Sequence, residues 1–199
     1  MSINVKKLTL TAILAAASTV LMFFSINVPL MPSFIKLDLS ELPALIASFV
    51  MGPISGACVC FVKNAINLFF TTTSGIGELS NFLLGCFFVL PAGYIYSVNK
   101  TRKSAILGAT IGALAMAFFS VFTNFFITYP IYFNFLPLEA ILGMYHAINP
   151  MVGTDPTELN LIKALLMFNV PFTFIKGMIS TLVTVLVYKP LENFLHGRY

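Results

Sequence analysis

Two lysines stand where a lysine is hardest to keep. Lys63 belongs to the run Lys63-Asn64-Ala65-Ile66-Asn67, and Lys176 to Pro171-Phe172-Thr173-Phe174-Ile175-Lys176-Gly177; both runs lie within long apolar stretches. A charge in a hydrocarbon environment is costly, so it normally faces a cavity or a partner. Read as helix, Asn67 follows Lys63 by four residues and Asn64 by three, so the three share one face. Thr173 shares a face with Lys176 in the same way. Asn124, and Asn81 three residues after Glu78, add further polar groups to apolar surroundings. Lysine offers only donors, the amide offers donors and an acceptor, and threonine offers a hydroxyl. Such a set holds a polar solute by hydrogen bonds. It carries no nucleophile activated by a base, and the chain has no GxxxxGK[ST] phosphate loop, no HExxH and no GxSxG.

Packing supplies an alternative for several of these residues. Asn and Thr bond between packed helices without touching a ligand, and Lys63, roughly 10 Å from a helix end, can snorkel outward or cap carbonyls. Lys176 is different. It stands about 15 residues into its helix, near the middle of a bilayer, where even a long stem reaches water only with difficulty.

The elements that must position these residues are membrane helices. Of 199 residues, 58% are hydrophobic and 9% charged, against about 25% charged in a soluble domain. At about 20 apolar residues per crossing, the length allows six helices joined by short loops, in a single domain over 1–199. The pattern predicts helices over 8–24, 41–51, 54–70, 79–96, 105–128 and 161–188. The first has the basic, apolar front of a signal peptide without a small-x-small cleavage site after Phe24, and it reads as a retained helix. The segment 27–40 is interrupted by prolines and reads as an outer loop folded back into the bundle. Gly52-Pro53 makes a tight turn, 71–78 is a polar loop, and 99–104 is a basic turn. The connection 129–160 contains Pro130, Pro137, Pro150 and Pro156 and is expected to hold only short helical pieces, with His146 solvated in it and His196 in the tail. Pro171 is expected to kink the last helix and free a carbonyl. Cys58 and Cys60, two residues apart, point to different sides of a helix and make no zinc half-site; with Cys86 they read as small packing residues.

With the N-terminus in the cytoplasm, Lys6, Lys7, Lys100, Arg102, Lys103, Lys189 and Arg198 all fall inside, and Lys36 and Lys163 are the exceptions. Asp38, Glu41, Glu78, Glu139, Asp155 and Glu158 fall near the outer face. Six crossings with both termini cytoplasmic satisfy this bias. The net charge of +4 reflects that placement and does not point to nucleic acid. No acidic residue lies well inside a predicted helix, which argues against a proton relay. Buried polar groups without an energy source suggest a binding subunit driven by a partner. A membrane enzyme and a ligand-free assembly subunit are the competing classes.

Several blocks together carry a resemblance: the Ala-rich first helix, Leu37-Asp38-Leu39-Ser40-Glu41-Leu42-Pro43, Gly52-Pro53, Val62-Lys63-Asn64 with Asn67, Asn81-Phe82-Leu83, Asn124 with Tyr129-Pro130, and Pro171-Phe172 through Lys176-Gly177. Over almost its whole length the chain resembles the substrate-binding S components of energy-coupling factor transporters, and among them the riboflavin-specific members. The resemblance implies six helices, capture of riboflavin near the outer face as a transported ligand with no cofactor, and no enzymatic activity. An S component for another vitamin or metabolite is the alternative within the class. Besides the lipid bilayer, it implies as partners a transmembrane coupling protein and two ATPase subunits. Ala12 and Ala16 match the small-residue face that pairs with the coupling protein. Asn124 and Lys176 fall where the riboflavin members contact the flavin ring. At Thr173 those members carry Asn, so this chain has a single hydroxyl there. Asp38 and the segment 71–78, with Glu78, can meet the ribityl hydroxyls.

Overall fold

The computed structural model describes residues 5–29, 31–32, 35–135, 137–148 and 160–195, with the side chains of 147–148 and 187–195 excepted. Pro150, Asp155, Pro156, Glu158, His196 and Arg198 lie outside the described residues. Helix α1 (Val5–Phe23) turns Ala15, Ser18, Thr19 and Met22 inward and leaves Ala12 and Ala16 exposed. The chain then folds back as an antiparallel hairpin of β1 (Ile26–Asn27) and β2 (Lys36–Leu37), with Ile26 opposite Leu37. Proline in this stretch removes amide donors, and a two-residue ladder is all that forms.

Helix α2 (Glu41–Met51) is short, roughly 17 Å at 1.5 Å per residue, and is packed into the bundle through Ala44, Leu45, Ala47, Ser48 and Phe49. It ends at Gly52, whose φ of 98° is a backbone conformation that glycine alone adopts without strain. Pro53 then opens α3 (Pro53–Asn67), where its missing N–H goes unused. A 3₁₀ turn, Leu68–Phe70, extends α3. Helix α4 (Ile76–Val98) and helix α5 (Arg102–Thr123) follow, the latter capped by Thr101, which accepts from the Ser104 N–H at 3.2 Å. Glycines and alanines on α5 let it lie against α4. A Cβ placed on Gly112 would meet the Phe88 carbonyl oxygen at 2.3 Å.

The sequence expectation ends the fifth helix at 128, but α5 runs on through a π-helical turn, Asn124–Thr128, and a last α-helical turn, Tyr129–Tyr132. The connection holds more structure than its prolines suggest: α6 (Leu138–Ile148) occupies part of it, and His146 lies on that helix, half-buried with its Nδ1 unpartnered among the described residues. Helix α7 starts at Leu161–Ala164, passes through a second π turn, Leu165–Asn169, and continues as Val170–Leu195, beyond the expected end at 188. Both π turns stand two residues ahead of a proline, Pro130 and Pro171. A proline cannot donate to the preceding turn, and widening that turn is one way a helix accommodates the loss.

Among the described residues, five helices are long and apolar enough to cross a membrane: Val5–Phe23, Pro53–Phe70, Ile76–Val98, Arg102–Tyr132 and Leu161–Leu186. Their outer faces carry Phe118, Phe122, Phe126, Leu182 and Leu186, all exposed. One core gathers Leu45, Phe49, Phe88, Val89 and Tyr96, and a second gathers Met31, Tyr129, Tyr132, Ile141 and Tyr145. The close approach of α4 and α5 gives the first prediction. Gly112→Ala lowers stability by about 1–3 kcal/mol through overpacking. Leu114→Ala, on the exposed face of the same helix, changes it by less than about 0.5 kcal/mol. Thermal unfolding in detergent measures both.

Candidate functional site

The hairpin delivers Asp38 into the bundle, and α2 begins three residues later with Glu41 in its first turn. Asp38 (6% exposed) and Glu41 (0%) meet Lys63 (0%) from α3 and Lys176 (6%) from α7. The Lys176 ammonium donates to Asp38 Oδ2 at 3.0 Å and lies 3.6 Å from Glu41 Oε2. Lys63 Nζ lies 3.0 Å from Glu41 Oε1, an ion pair without the alignment of a hydrogen bond, and it donates to Ser40 Oγ. Ser40 sits between the two carboxylates. Its backbone N–H donates to Asp38 Oδ1 at 2.9 Å, and its hydroxyl reaches both Asp38 Oδ1 and Glu41 Oε2. Ser18 on α1 donates to the Ser40 carbonyl. Two ammonium groups and two carboxylates thus neutralise one another, with Lys63 and Glu41 fully buried and Asp38 and Lys176 nearly so. Burial alone would push the Asp38 carboxyl up. The ammonium of Lys176, then that of Lys63, and the Ser40 hydrogen bond outweigh it and hold the group below the ordinary carboxylate range.

Asp38 and Lys176 also line a cavity of about 280 Å³, close to the lower end of ligand pockets at roughly 300–1,000 Å³. Lys176 has three donors and spends them on Asp38 and, more loosely, Glu41, which leaves donor capacity toward the cavity. Asn124 and Thr173 line it as well, and Asn124 Oδ1 accepts from Ser80 Oγ at 3.4 Å. Asn67, Glu78 and Asn81 form another part of the lining. Apolar wall comes from Phe23, Ile35, Phe70, Leu84, Met116 and Phe172.

Of the residues singled out in the sequence, Asp38, Asn67, Glu78, Asn81, Asn124, Thr173 and Lys176 are therefore brought to one cavity. Lys63 and Asn64 are not on its wall. Lys63 is enclosed by Glu41 and Ser40, and Asn64 donates to the Cys60 carbonyl at 2.8 Å. Cys58 is exposed and Cys60 buried, on different sides of α3, and among the described residues no cluster of metal-ligating side chains exists.

Sequence reasoning missed Glu41 and Ser40 as the partners of the two lysines. It also missed Asn169, Thr128 and Tyr129, which join the lining. Asn169 stands four residues before Thr173 and seven before Lys176, so the helical period was a signal that could have found it. Its Oδ1 accepts from Tyr145 at 2.7 Å, and the Tyr145 hydroxyl lies 2.6 Å from that of Tyr129, tying α6 to α5 and α7 beside the cavity.

The model of the ECF transporter substrate-specific component family matches residues 6–188. The chain belongs to that family. This S component is an integral, multi-pass protein of the cell membrane and a transport protein, not an enzyme. It is 32% identical over 190 residues to the riboflavin transporter RibU of Staphylococcus aureus, covering 96% of this chain and 92% of the relative. It is 26% identical to the riboflavin transporter FmnP of Bacillus subtilis, covering 96% and 95%, and 30% identical to RibU of Streptococcus thermophilus, covering 96% and 85%. A solved S component of a bacterial ECF transporter superposes with a TM-score of 0.73 at 32% identity, covering 96% of this chain and 97% of that one.

The ion-pair cluster generates a prediction for stability. Lys63→Met leaves two carboxylates against the single ammonium of Lys176 and lowers stability by about 3–5 kcal/mol, whereas Lys63→Met with Glu41→Leu recovers most of that loss, because replacing both partners by apolar groups removes the excess charge. Thermal unfolding of the single and double variants in detergent checks the order.

Proposed function

We propose that this S component captures riboflavin from the outer side of the membrane in the cavity between the hairpin and helices α3, α4, α5 and α7. The observation that carries the reading is the Lys176 ammonium, held by Asp38 at 3.0 Å with donor capacity toward that cavity. A flavin ring is flat and largely apolar, with carbonyl and nitrogen acceptors along one edge. Lys176, Asn124 and Thr173 supply donors for that edge, and Met116, Leu84 and Phe172 supply apolar surface for the ring. Asp38, Asn67, Asn81 and Glu78 supply partners for the ribityl hydroxyls. Lys63 and Asn64 act from behind the wall, Lys63 by fixing the carboxylate that flanks Lys176. The riboflavin transporters among its relatives support the choice of ligand.

The same reading takes the chain as a single domain with six crossings and both termini in the cytoplasm. Helix α2 is the short sixth. It passes inward wrapped by protein, so it needs no full apolar length, and the Gly52-Pro53 turn returns the chain through α3. Lys6 and Lys7 before α1 and Lys100, Arg102 and Lys103 between α4 and α5 then lie inside, as the charge bias requires. The exposed small residues Ala12 and Ala16 on α1 allow close approach of another helix. They are assigned to the transmembrane coupling protein, through which two ATPase subunits drive release of the vitamin inward.

Titration of the purified protein with riboflavin, followed by quenching of flavin fluorescence, tests the assignment. Saturable binding below micromolar concentration is expected, and no binding at micromolar ligand overturns it. Lys176→Ala removes hydrogen bonds to a charged donor worth about 1.5–3 kcal/mol. It therefore weakens binding by about 10- to 100-fold; unchanged affinity removes Lys176 from the site.

A further inference from the structure

Beside the cavity, three buried polar side chains from three elements meet, and none of them carries a charge. Tyr145 comes from α6, Tyr129 from the last turn of α5, and Asn169 from the end of the π turn in α7. Tyr129 and Asn169 are on the cavity wall, and Tyr145 is not. The Tyr145 hydroxyl donates to Asn169 Oδ1 at 2.7 Å and lies 2.6 Å from the Tyr129 hydroxyl. A hydroxyl has one proton. Tyr145 gives its own to Asn169, so the proton between the two tyrosines belongs to Tyr129. Tyr129 then has only its oxygen left, and in its hydrogen bond with Asn169 the amide is the donor. The three bonds close a ring with one direction, from Tyr129 to Tyr145, on to Asn169, and back to Tyr129.

That direction fixes which way round the amide stands. The carbonyl and the NH₂ of an asparagine have nearly the same shape, and their partners tell them apart. Here Oδ1 faces Tyr145, behind the wall, and the NH₂ group takes the other side. An amide has two N–H groups. One goes to Tyr129, which leaves the second for the cavity. The amide turned over would set a carbonyl oxygen against the acceptors of a flavin instead.

Tyr145 is held firmly enough to impose this choice. Its ring packs against Phe168 with centroids 5.5 Å apart, and Ile141, Ala164 and Leu165 belong to the same buried cluster. The hydroxyl therefore cannot follow the amide around. Asn169 stands four residues before Thr173 and seven before Lys176, so its N–H joins their hydroxyl and ammonium in a row along one face of α7. We propose that Asn169 is a further ligand-binding residue, donating to an acceptor of the bound flavin, and that Tyr145 is the positioning residue that keeps the Asn169 NH₂ toward the cavity. The inference rests on the riboflavin reading and adds to it one amide and the helix that orients it.

A double-mutant cycle on riboflavin affinity tests it, with the wild type, Tyr145→Phe, Asn169→Ala and the double variant as its corners. Tyr145→Phe keeps the ring and removes the hydroxyl, and it weakens binding by about fivefold to tenfold. Asn169→Ala weakens it by about tenfold. The double variant binds like Asn169→Ala alone, within about twofold, because Tyr145 acts through the amide. Losses that multiply in the double variant show that Tyr145 acts in some other way and overturn the inference. Unchanged affinity in either single variant also overturns it. A second measurement needs no change at Asn169. Linkage is reciprocal: a hydroxyl that favours the ligand is itself held by the ligand. At saturating riboflavin, amide hydrogen exchange in α6 is expected to slow in the wild type and not in Tyr145→Phe. Slowing of the same size in both proteins shows that the ligand merely covers α6 and overturns the inference. Each of these adverse results leaves the riboflavin reading standing. A wild type that binds no riboflavin overturns that reading and the inference with it.

Discussion

A charge inside a membrane protein needs a partner or a cavity, and here two lysines are answered by two carboxylates. Asp38 and Glu41 come from a loop and the start of a short helix, Lys63 and Lys176 from α3 and α7, and Ser40 joins them with Ser18 of α1 behind. The cluster fastens four separate parts of the chain at one level of the bundle. It ties the end of the hairpin into the bundle, because Asp38 is held there by Lys176 and Ser40. It explains why α2 is short, because its first turn must deliver Glu41 to the middle of the protein. It also leaves one ammonium, that of Lys176, at a cavity wall. An unpaired lysine at that depth would lose its proton or destabilise the fold. A lysine matched by two carboxylates is accommodated there and keeps donors for a neutral solute.

Much of this was legible in the residues. The length and spacing of the apolar runs gave the long helices, and Gly52-Pro53 marked the turn between α2 and α3. The helical period placed Thr173 beside Lys176, whereas of the run 63–67 only Asn67 reaches the cavity. What it did not place was the partner of each lysine. Asp38 and Glu41 precede Lys176 by more than a hundred residues, and no local period reports a contact across that separation. Lys63 shows the consequence. Its face of α3 reads the same from sequence whether it meets a solute or a carboxylate, and the structure puts Glu41 against it.

The prolines were legible as interruptions but not in their effect. Pro130 and Pro171 each follow a π turn, and both turns carry polar residues to the cavity: Asn124 and Thr128 on α5, Asn169 on α7. A widened turn shifts the register of the residues on its far side, so a strict 3.6-residue period counted through it misplaces them, although Asn169, at the end of its turn, stays in register with Thr173 and Lys176. Helix ends were the other weak point. Tyr129–Tyr132 continues α5 although Pro130 lies within it, and the π turn Asn124–Thr128 ahead of it accommodates the missing donor. Tyr145 of α6 then reaches Asn169, a contact between a connection and a helix that neither segment announces alone.

The account turns on the Lys176 ammonium serving the ligand while Asp38 keeps hold of it. A structure of the riboflavin complex tests this most directly. The account predicts Lys176 Nζ within hydrogen-bonding distance of an acceptor on the flavin ring edge, with its contact to Asp38 Oδ2 retained. Riboflavin bound elsewhere, or bound in this cavity with Lys176 turned wholly to its carboxylates and no contact to the ring, would contradict it.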